Sequence, residues 1–132
     1  MAEASRWISI VDDDPAVLKA LTRLLRVHAL HAQTYKSAQE FLAALPGGLP
    51  ECLIVDMQMP EMTGLELHQH LTRRNIRIPT IIITAHCDVG LRERCASAGV
   101  IAFLSKPVPE ISLFAAIDDA RKIASIRGHG SS

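Results

Sequence analysis

The segment at residues 53–60, which reads LIVDMQMP, constrains the fold of this chain more than any other segment. It begins with an uninterrupted apolar run, ends that run at the carboxylate of Asp56, and then reaches Pro60 through a short loop. An apolar run without alternation is typical of a central strand in a parallel sheet, because such a strand is buried on both faces. Functional groups of open α/β sheets gather at the carboxyl ends of the strands. We therefore expect Asp56 to lie in the functional site.

Four further segments have the composition of strands, and apolar residues at helical spacing follow each one. These segments lie at residues 6–11, 31–35, 80–84 and 101–104. The alternation of strand and helix with short links predicts an α/β fold with a doubly wound parallel sheet of five strands, flanked by five helices. We expect residues 1–127 to form a single domain and residues 128–132 to form a flexible C-terminal tail.

Capping signals indicate where the helices begin. Asp14 precedes Pro15, which suits a helix start because aspartate caps free N–H groups and proline fits the first helical position. Two further pairs have the spacing of a capping box, namely Ser37 with Glu40 and Thr63 with Glu66. A fourth helix is expected to start at Asp88 or one of its neighbours, and Gly99 suits its C-terminal cap.

Composition excludes several classes of function. The 132 residues carry 14 Lys and Arg against 14 Asp and Glu, so no positive charge excess indicates nucleic-acid binding by this chain. No apolar run has the length of a membrane span, and the N-terminus lacks the apolar region of a signal peptide. The three cysteines are odd in number and lack the spacing of a zinc site. These features predict a reduced, cytoplasmic protein without a membrane partner.

The strand ends carry a set of side chains suited to phosphate chemistry: Asp12, Asp13, Asp56, Thr84 and Lys106. Each alone has a plainer explanation, such as a turn, a core threonine or a surface lysine. In a doubly wound sheet, however, these ends lie along one edge, so the residues converge. Clustered carboxylates favour a hard divalent ion such as Mg²⁺. A carboxylate nucleophile, magnesium, a lysine and a hydroxyl are the groups that phosphoryl transfer to an aspartate needs.

In order and spacing, four motifs of this chain resemble the receiver domain of two-component response regulators. The motifs are Val11-Asp12-Asp13-Asp14, Val55-Asp56-Met57-Gln58-Met59-Pro60, Thr84-Ala85 and Lys106-Pro107. The resemblance covers nearly the whole chain, from Trp7 to about Ala124, and the sequence is most similar in character to FixJ-type receivers. It implies the flavodoxin-like, CheY-like architecture and a phosphoprotein that acts in phosphorelay signal transduction.

The resemblance implies that Asp56 is the phosphoacceptor and takes a phosphoryl group from a histidine kinase or a phosphotransfer protein. It implies that Asp13, Asp56 and the backbone carbonyl of Gln58 bind Mg²⁺ directly, with Asp12 acting mainly through metal-bound water. Lys106 would pair with the acceptor carboxylate and then with the phosphoryl group. The family's bond at Lys106-Pro107 is cis, which the sequence itself does not decide.

The resemblance also implies a switch, in which the Thr84 hydroxyl moves to the phosphoryl group and Phe103 fills the space it leaves. His86 and Gln58 occupy the positions that influence how fast the phosphoryl group is lost, and we expect them to control water access. Cys87 lies beside His86, and nothing near it in the sequence indicates a depressed pKa, so we expect an inert thiol.

The surface of the fourth helix, fifth strand and fifth helix, at about residues 89–122, is expected to mediate homodimerisation or partner binding after phosphorylation. The chain is not expected to be an enzyme beyond forming and losing its own acylphosphate. It stands alone or is the excised receiver of a longer FixJ-type transcriptional regulator.

Two other interpretations remain open. A haloacid-dehalogenase-like phosphatase also uses aspartate, Mg²⁺ and lysine, but proteins of that class have an Asp-x-Asp motif at the end of the first strand and a cap inserted later in the chain. Here the first strand ends in Asp12-Asp13, and the sequence shows no such insertion. A pseudo-receiver would act as a phosphorylation-independent binding module, although such proteins have normally lost an acid or the lysine.

Overall fold

A computed structural model describes residues 6–130 of the chain, with side chains described as far as Ala124. Five strands alternate with five α-helices, as predicted. The strands are β1 (Ile8–Val11), β2 (Ala32–Tyr35), β3 (Cys52–Asp56), β4 (Thr80–Thr84) and β5 (Ala102–Ser105). The helices are α1 (Pro15–Val27), α2 (Ala38–Ala44), α3 (Gly64–Arg73), α4 (Val89–Ser97) and α5 (Glu110–Gly130), and a 3₁₀ turn at Leu45–Gly47 follows α2.

All neighbouring strands are parallel, in the order β2-β1-β3-β4-β5. The chain winds outward from β1 to β2, then crosses back to β3 and continues in the other direction. The carboxyl ends of β1 and β3 therefore meet where the winding reverses, which is where open α/β sheets bind ligands. Val11 lies opposite Val55 in this register, so Asp12 and Asp56 are the next residues on adjacent strands.

The sheet is buried between two apolar layers, because β3 sends successive side chains to opposite faces. Leu53 and Val55 pack in one core with α2, α3 and α4. Cys52 and Ile54 pack in the other core with α1 and α5. All four side chains have no exposed surface, and burying each aliphatic one stabilises the fold by about 1.5–3 kcal/mol. The uninterrupted apolar run therefore reflects burial on both faces.

The helix starts follow the predicted signals with one difference. Asp14 accepts a hydrogen bond from the Ala16 N–H at 2.9 Å, and Thr63 and Glu66 form a reciprocal capping box. At α2 the reciprocal bond is shifted by one residue. Ser37 caps the Glu40 N–H, but the Glu40 carboxylate accepts from Lys36 at 3.0 Å rather than from Ser37. The capping box predicted there is thus only half formed.

The final helix, α5, extends to Gly130 and includes three residues that the sequence assigned to the tail. Residues 131–132 lie outside the described residues, so a flexible tail at residues 128–132 stays a prediction. No helix among the described residues combines the length and the apolar character that crossing a membrane requires.

Candidate functional site

Three carboxylates meet at the carboxyl edge of the sheet, where β1 and β3 end. Asp12, Asp13 and Asp56 each place one carboxylate oxygen within 4.8 Å of the other two. Asp12 is fully buried and Asp56 is 4% exposed, whereas Asp13 is exposed to solvent. The Asp12 carboxylate also accepts a hydrogen bond from the Asp14 N–H at 2.9 Å, which fixes its orientation. The predicted acidic cluster is therefore present, with one carboxylate open to solvent.

Lys106 brings a positive charge to this cluster from the end of β5. Its Nζ lies 3.1 Å from Asp12 Oδ2 and 3.2 Å from Asp56 Oδ1. The Lys106 N–H donates to the Thr84 carbonyl oxygen at 2.7 Å, which holds the backbone against β4. The Lys106-Pro107 peptide bond is cis, as in the family that the sequence resembles.

The pKa values of Asp56 and Lys106 are both raised at this site, for different reasons. Burial raises the pKa of the Asp56 carboxyl above its usual value, and the neighbouring Asp12 raises it further, although Lys106 opposes both effects. Burial alone would lower the pKa of Lys106, but its contacts with Asp12 and Asp56 outweigh that effect and raise it. Lys106 therefore stays protonated, whereas ionising the Asp56 carboxyl costs more free energy in the folded protein than in water.

The cluster has the composition of a site for a hard divalent cation. One lysine faces three carboxylates, so two negative charges remain unbalanced when all are ionised. Within the described part of the chain, Asp56 Oδ1 is buried and receives no well-aligned hydrogen bond, despite its ion pair with Lys106. An unsatisfied buried carboxylate oxygen in an all-oxygen donor set fits Mg²⁺.

A second polar group adjoins the cluster at the end of β4. Thr84 is fully buried, and its hydroxyl lies 3.0 Å from Gln58 Oε1 and 3.1 Å from the His86 carbonyl oxygen, to either of which it can donate. The His86 N–H donates back to the Thr84 hydroxyl at 3.0 Å. These contacts bring Thr84, Gln58 and His86 together. Gln58 lies two residues after Asp56, the last residue of β3, so the loops after β3 and β4 are linked through Thr84.

Phe103 lies on β5, the strand next to β4, and is 7% exposed. Arg92 on α4 covers its ring, with the guanidinium carbon 5.1 Å from the ring centre. Arg92 also donates to the Phe103 carbonyl oxygen at 3.3 Å and to Cys87 Sγ at 3.2 Å. Arg92 was not singled out by the sequence, since an exposed helical arginine carries no pattern that indicates its contacts.

The environment of Cys87 differs from the sequence expectation that nothing near this thiol lowers its pKa. Hydrogen bonds from Ser105 and then from Arg92 lower the pKa of the exposed Cys87 thiol, because both stabilise the thiolate. Arg92 reaches back to Cys87 from the first turn of α4, and Ser105 reaches it from the end of β5, the strand next to β4. Neither contact follows from the residues adjacent to Cys87 in the sequence.

Gly64, the first residue of α3, packs against the backbone of Asp56, a contact that the sequence did not predict. A Cβ atom there would lie 2.7 Å from the Asp56 carbonyl oxygen. The Gly64 N–H donates to the Met57 carbonyl oxygen at 3.1 Å. The start of α3 therefore packs directly on the backbone that carries Asp56. A glycine just after the capping residue Thr63 is the signal that could have indicated this close approach.

The fold and the site together define an α/β domain with three carboxylates and a lysine gathered at the carboxyl edge of its parallel sheet. The family model for the response regulator receiver domain matches residues 8–118. The response regulator protein TmoT of Ectopseudomonas mendocina is 41% identical over 124 residues, which are 94% of this chain and 56% of that protein. The transcriptional regulatory protein FixJ of Rhizobium meliloti is 35% identical over 113 residues, which are 86% of this chain and 55% of that protein.

A solved structure of the response regulator StyR superposes with a TM-score of 0.87 at 36% identity, and the match covers 96% of this chain and 64% of that one. The chain belongs to the response regulator receiver domains of two-component systems. It spans about half the length of the curated relatives it matches. Receiver domains are generally not enzymes, generally bind Mg²⁺ at an acidic pocket, and interact with histidine kinases or phosphotransfer proteins.

Proposed function

We propose that Asp56 accepts a phosphoryl group from a phosphohistidine of a sensor kinase or phosphotransfer protein. The observation that carries this proposal is the buried Asp56 oxygen beside Lys106, which lacks a well-aligned hydrogen-bond donor among the described residues. One carboxylate oxygen forms a bond to phosphorus as the P–N bond of the donor breaks. The imidazole leaves with the electron pair of that bond and takes a proton from solvent. The product is an acylphosphate on β3.

The neighbouring side chains neutralise and orient charge during this transfer. Lys106 would move from pairing with the free carboxylate to pairing with the phosphoryl oxygens, since its ammonium is already 3.2 Å from Asp56. Asp12, Asp13, Asp56 and the Gln58 carbonyl would hold Mg²⁺. When bound, Mg²⁺ supplies positive charge to the phosphoryl oxygens.

The same arrangement supports a two-state switch. The Thr84 hydroxyl is engaged by Gln58 and His86 and would leave these partners for a phosphoryl oxygen. Phe103 would then move toward the space that Thr84 vacates, which would change the surface of α4, β5 and α5. Gln58 and His86 are exposed at the mouth of the site, where they would tune the lifetime of the acylphosphate by controlling water access.

The altered surface of α4, β5 and α5 would favour homodimerisation or partner binding. Because the chain spans about half the length of relatives that are named transcriptional regulatory proteins, we propose that it is the receiver part of a longer regulator of that kind. This part is not proposed to bind nucleic acid, since its net charge is zero. Its cysteines, Cys52, Cys87 and Cys95, are free, which supports a reducing, cytoplasmic setting. Its only reaction would be to form and hydrolyse its own acylphosphate.

The test is the intact mass of the protein after incubation with acetyl phosphate, with and without Mg²⁺. Wild type should gain one phosphoryl group only when Mg²⁺ is present, and Asp56→Asn should gain none. Asp119→Asn, which removes an exposed carboxylate on α5, is the matched control and should behave as wild type. No gain by folded wild type from acetyl phosphate or from a phosphorylated kinase would contradict the proposal and favour a pseudo-receiver.

A further inference from the structure

Arg92, on the exposed side of α4, makes three contacts that phosphoryl transfer does not use. One guanidinium nitrogen donates to the Phe103 carbonyl oxygen at 3.3 Å, and the other donates to Cys87 Sγ at 3.2 Å. The guanidinium carbon also lies 5.1 Å from the centre of the Phe103 ring, within the range of a cation–π contact. Arg92 therefore joins α4 to β5 and to the loop after β4 at the same time.

Both segments that Arg92 joins belong to the proposed switch. Cys87 is in the loop that begins at Thr84, and the Thr84 hydroxyl is tied to the backbone of His86 in that loop. Phe103 is the residue proposed to move when Thr84 moves, and its ring is packed under Arg92. A displacement of Thr84 or of the Phe103 ring would therefore change the distances that define the Arg92 contacts.

Arginine is suited to this position because its planar guanidinium presents several donors in a fixed geometry. It can lie over an aromatic ring while its two terminal nitrogens donate in different directions. A lysine ammonium could keep the charge near the ring, but a single nitrogen at the end of a flexible chain would not easily reach the Phe103 carbonyl and Cys87 together. The contact set therefore depends on the guanidinium and not on positive charge alone.

We propose that Arg92 is a positioning residue that holds Phe103 and the loop after β4 in the unphosphorylated arrangement, and that part of its contact set is released on phosphorylation. This inference rests on the proposed function, since it assigns the switch to Thr84 and Phe103. A contact made in only one of two states lowers the affinity for a ligand that selects the other state. Removing the Arg92 contacts therefore favours the phosphorylated arrangement.

The test is the affinity for beryllofluoride, which mimics a phosphoryl group on a carboxylate, measured by titration calorimetry at saturating Mg²⁺. Arg92→Gln should bind the mimic about three- to tenfold more tightly than wild type, as the loss of an exposed cation–π contact and its hydrogen bonds implies. Arg92→Lys should lie between the two. Arg94→Gln, which removes an exposed arginine from the same helix, should bind as wild type does.

A double-mutant cycle locates the effect at the aromatic ring. In a Phe103→Leu background, Arg92→Gln should change the affinity by a smaller factor, because the ring contact is already missing. Thermal unfolding of each variant shows whether it is folded. A role that is only structural would lower the unfolding temperature and leave the affinity for the mimic unchanged.

Unchanged or weaker binding of the mimic by folded Arg92→Gln would overturn the proposed role of Arg92. Failure of wild type to bind the mimic at any Mg²⁺ concentration would instead overturn the proposed function, and the role of Arg92 with it. The two failures are distinguishable because the first appears only in the variant and the second in every protein of the series.

Discussion

The close approach of Gly64 to the end of β3 makes Gly64→Ala a sharp test of how the site is built. The new methyl group would lie 2.7 Å from the Asp56 carbonyl oxygen and 3.3 Å from the Met57 Cα. Both are backbone atoms in a buried strand end, so they cannot rotate away as a side chain would. To reach an ordinary contact of 3.4 Å, the start of α3 must retreat by about 0.7 Å.

The expected cost follows from two opposing effects. Overpacking against rigid neighbours costs about 1–3 kcal/mol, and replacing glycine in a helix recovers about 0.5–1 kcal/mol through a less flexible unfolded chain. We expect a net loss of about 1–2 kcal/mol, which lowers the urea midpoint by roughly 0.5–1 M. Because the Asp56 backbone is displaced, phosphorylation by acetyl phosphate should also be slower.

Gly90→Ala is the matched control, since Gly90 also lies in the first turn of a helix. Its Cβ would meet only the Asp88 side chain, at 3.4 Å. This variant should be as stable as wild type or slightly more stable, and it should be phosphorylated at the wild-type rate. The reasoning is refuted if Gly64→Ala unfolds at the wild-type midpoint.

Three further predictions concern other groups. Cys87 should be the first thiol alkylated by iodoacetamide as pH rises, because its pKa is lowered, whereas burial raises the pKa of Cys52 to about 12. Cys87→Ser should abolish the fast phase of alkylation, and a fast phase at another cysteine would contradict this. The His68 ring is buried and makes hydrogen bonds to Thr80 Oγ1 at 3.0 Å and to the Ala98 carbonyl oxygen at 2.9 Å. His68→Phe should therefore lower the free energy of unfolding in urea by about 1–3 kcal/mol, whereas His70→Ala should lower it little. Equal losses in the two variants would refute this. Without Mg²⁺, the pKa of Asp56 is higher in the folded than in the unfolded protein, so wild type loses stability as pH rises from the unfolded pKa through the folded pKa. Asp56→Asn does not titrate there, so its stability relative to wild type should increase as pH rises above about 4. A stability difference that does not change with pH would contradict this prediction.

The fold and the central cluster were predictable because they depend on strong, local sequence signals. The run at Leu53–Val55 has no polar residue, which is typical of a strand covered on both faces. Once the sheet is parallel, its carboxyl ends share an edge, so Asp12, Asp56 and Lys106 must approach one another regardless of their separation in sequence. The strand bounds differed by one or two residues, since ladder pairing decides where a strand ends.

The remaining features depend on side-chain reach and on close approach between elements. The contacts of Arg92 with Phe103 and Cys87 depend on the distance between α4 and β5, which no local pattern encodes. The lowered pKa of Cys87 likewise depends on hydrogen bonds from residues distant in sequence or on another element, first Ser105 on β5 and then Arg92 on α4. Glu40 bonds Lys36 instead of Ser37, because a flexible side chain can reach either N–H group.

The measurement that tests the central claim most directly is the position of the phosphoryl group within the chain. Borohydride reduces an acylphosphate to an alcohol, so it converts a phosphorylated aspartate to homoserine that peptide mass spectrometry can locate. After Mg²⁺-dependent phosphorylation, homoserine should appear at residue 56 and at no other aspartate. Homoserine at Asp12 or Asp13, or a phosphorylated protein that yields no homoserine at residue 56, would contradict the assignment of Asp56 as the acceptor.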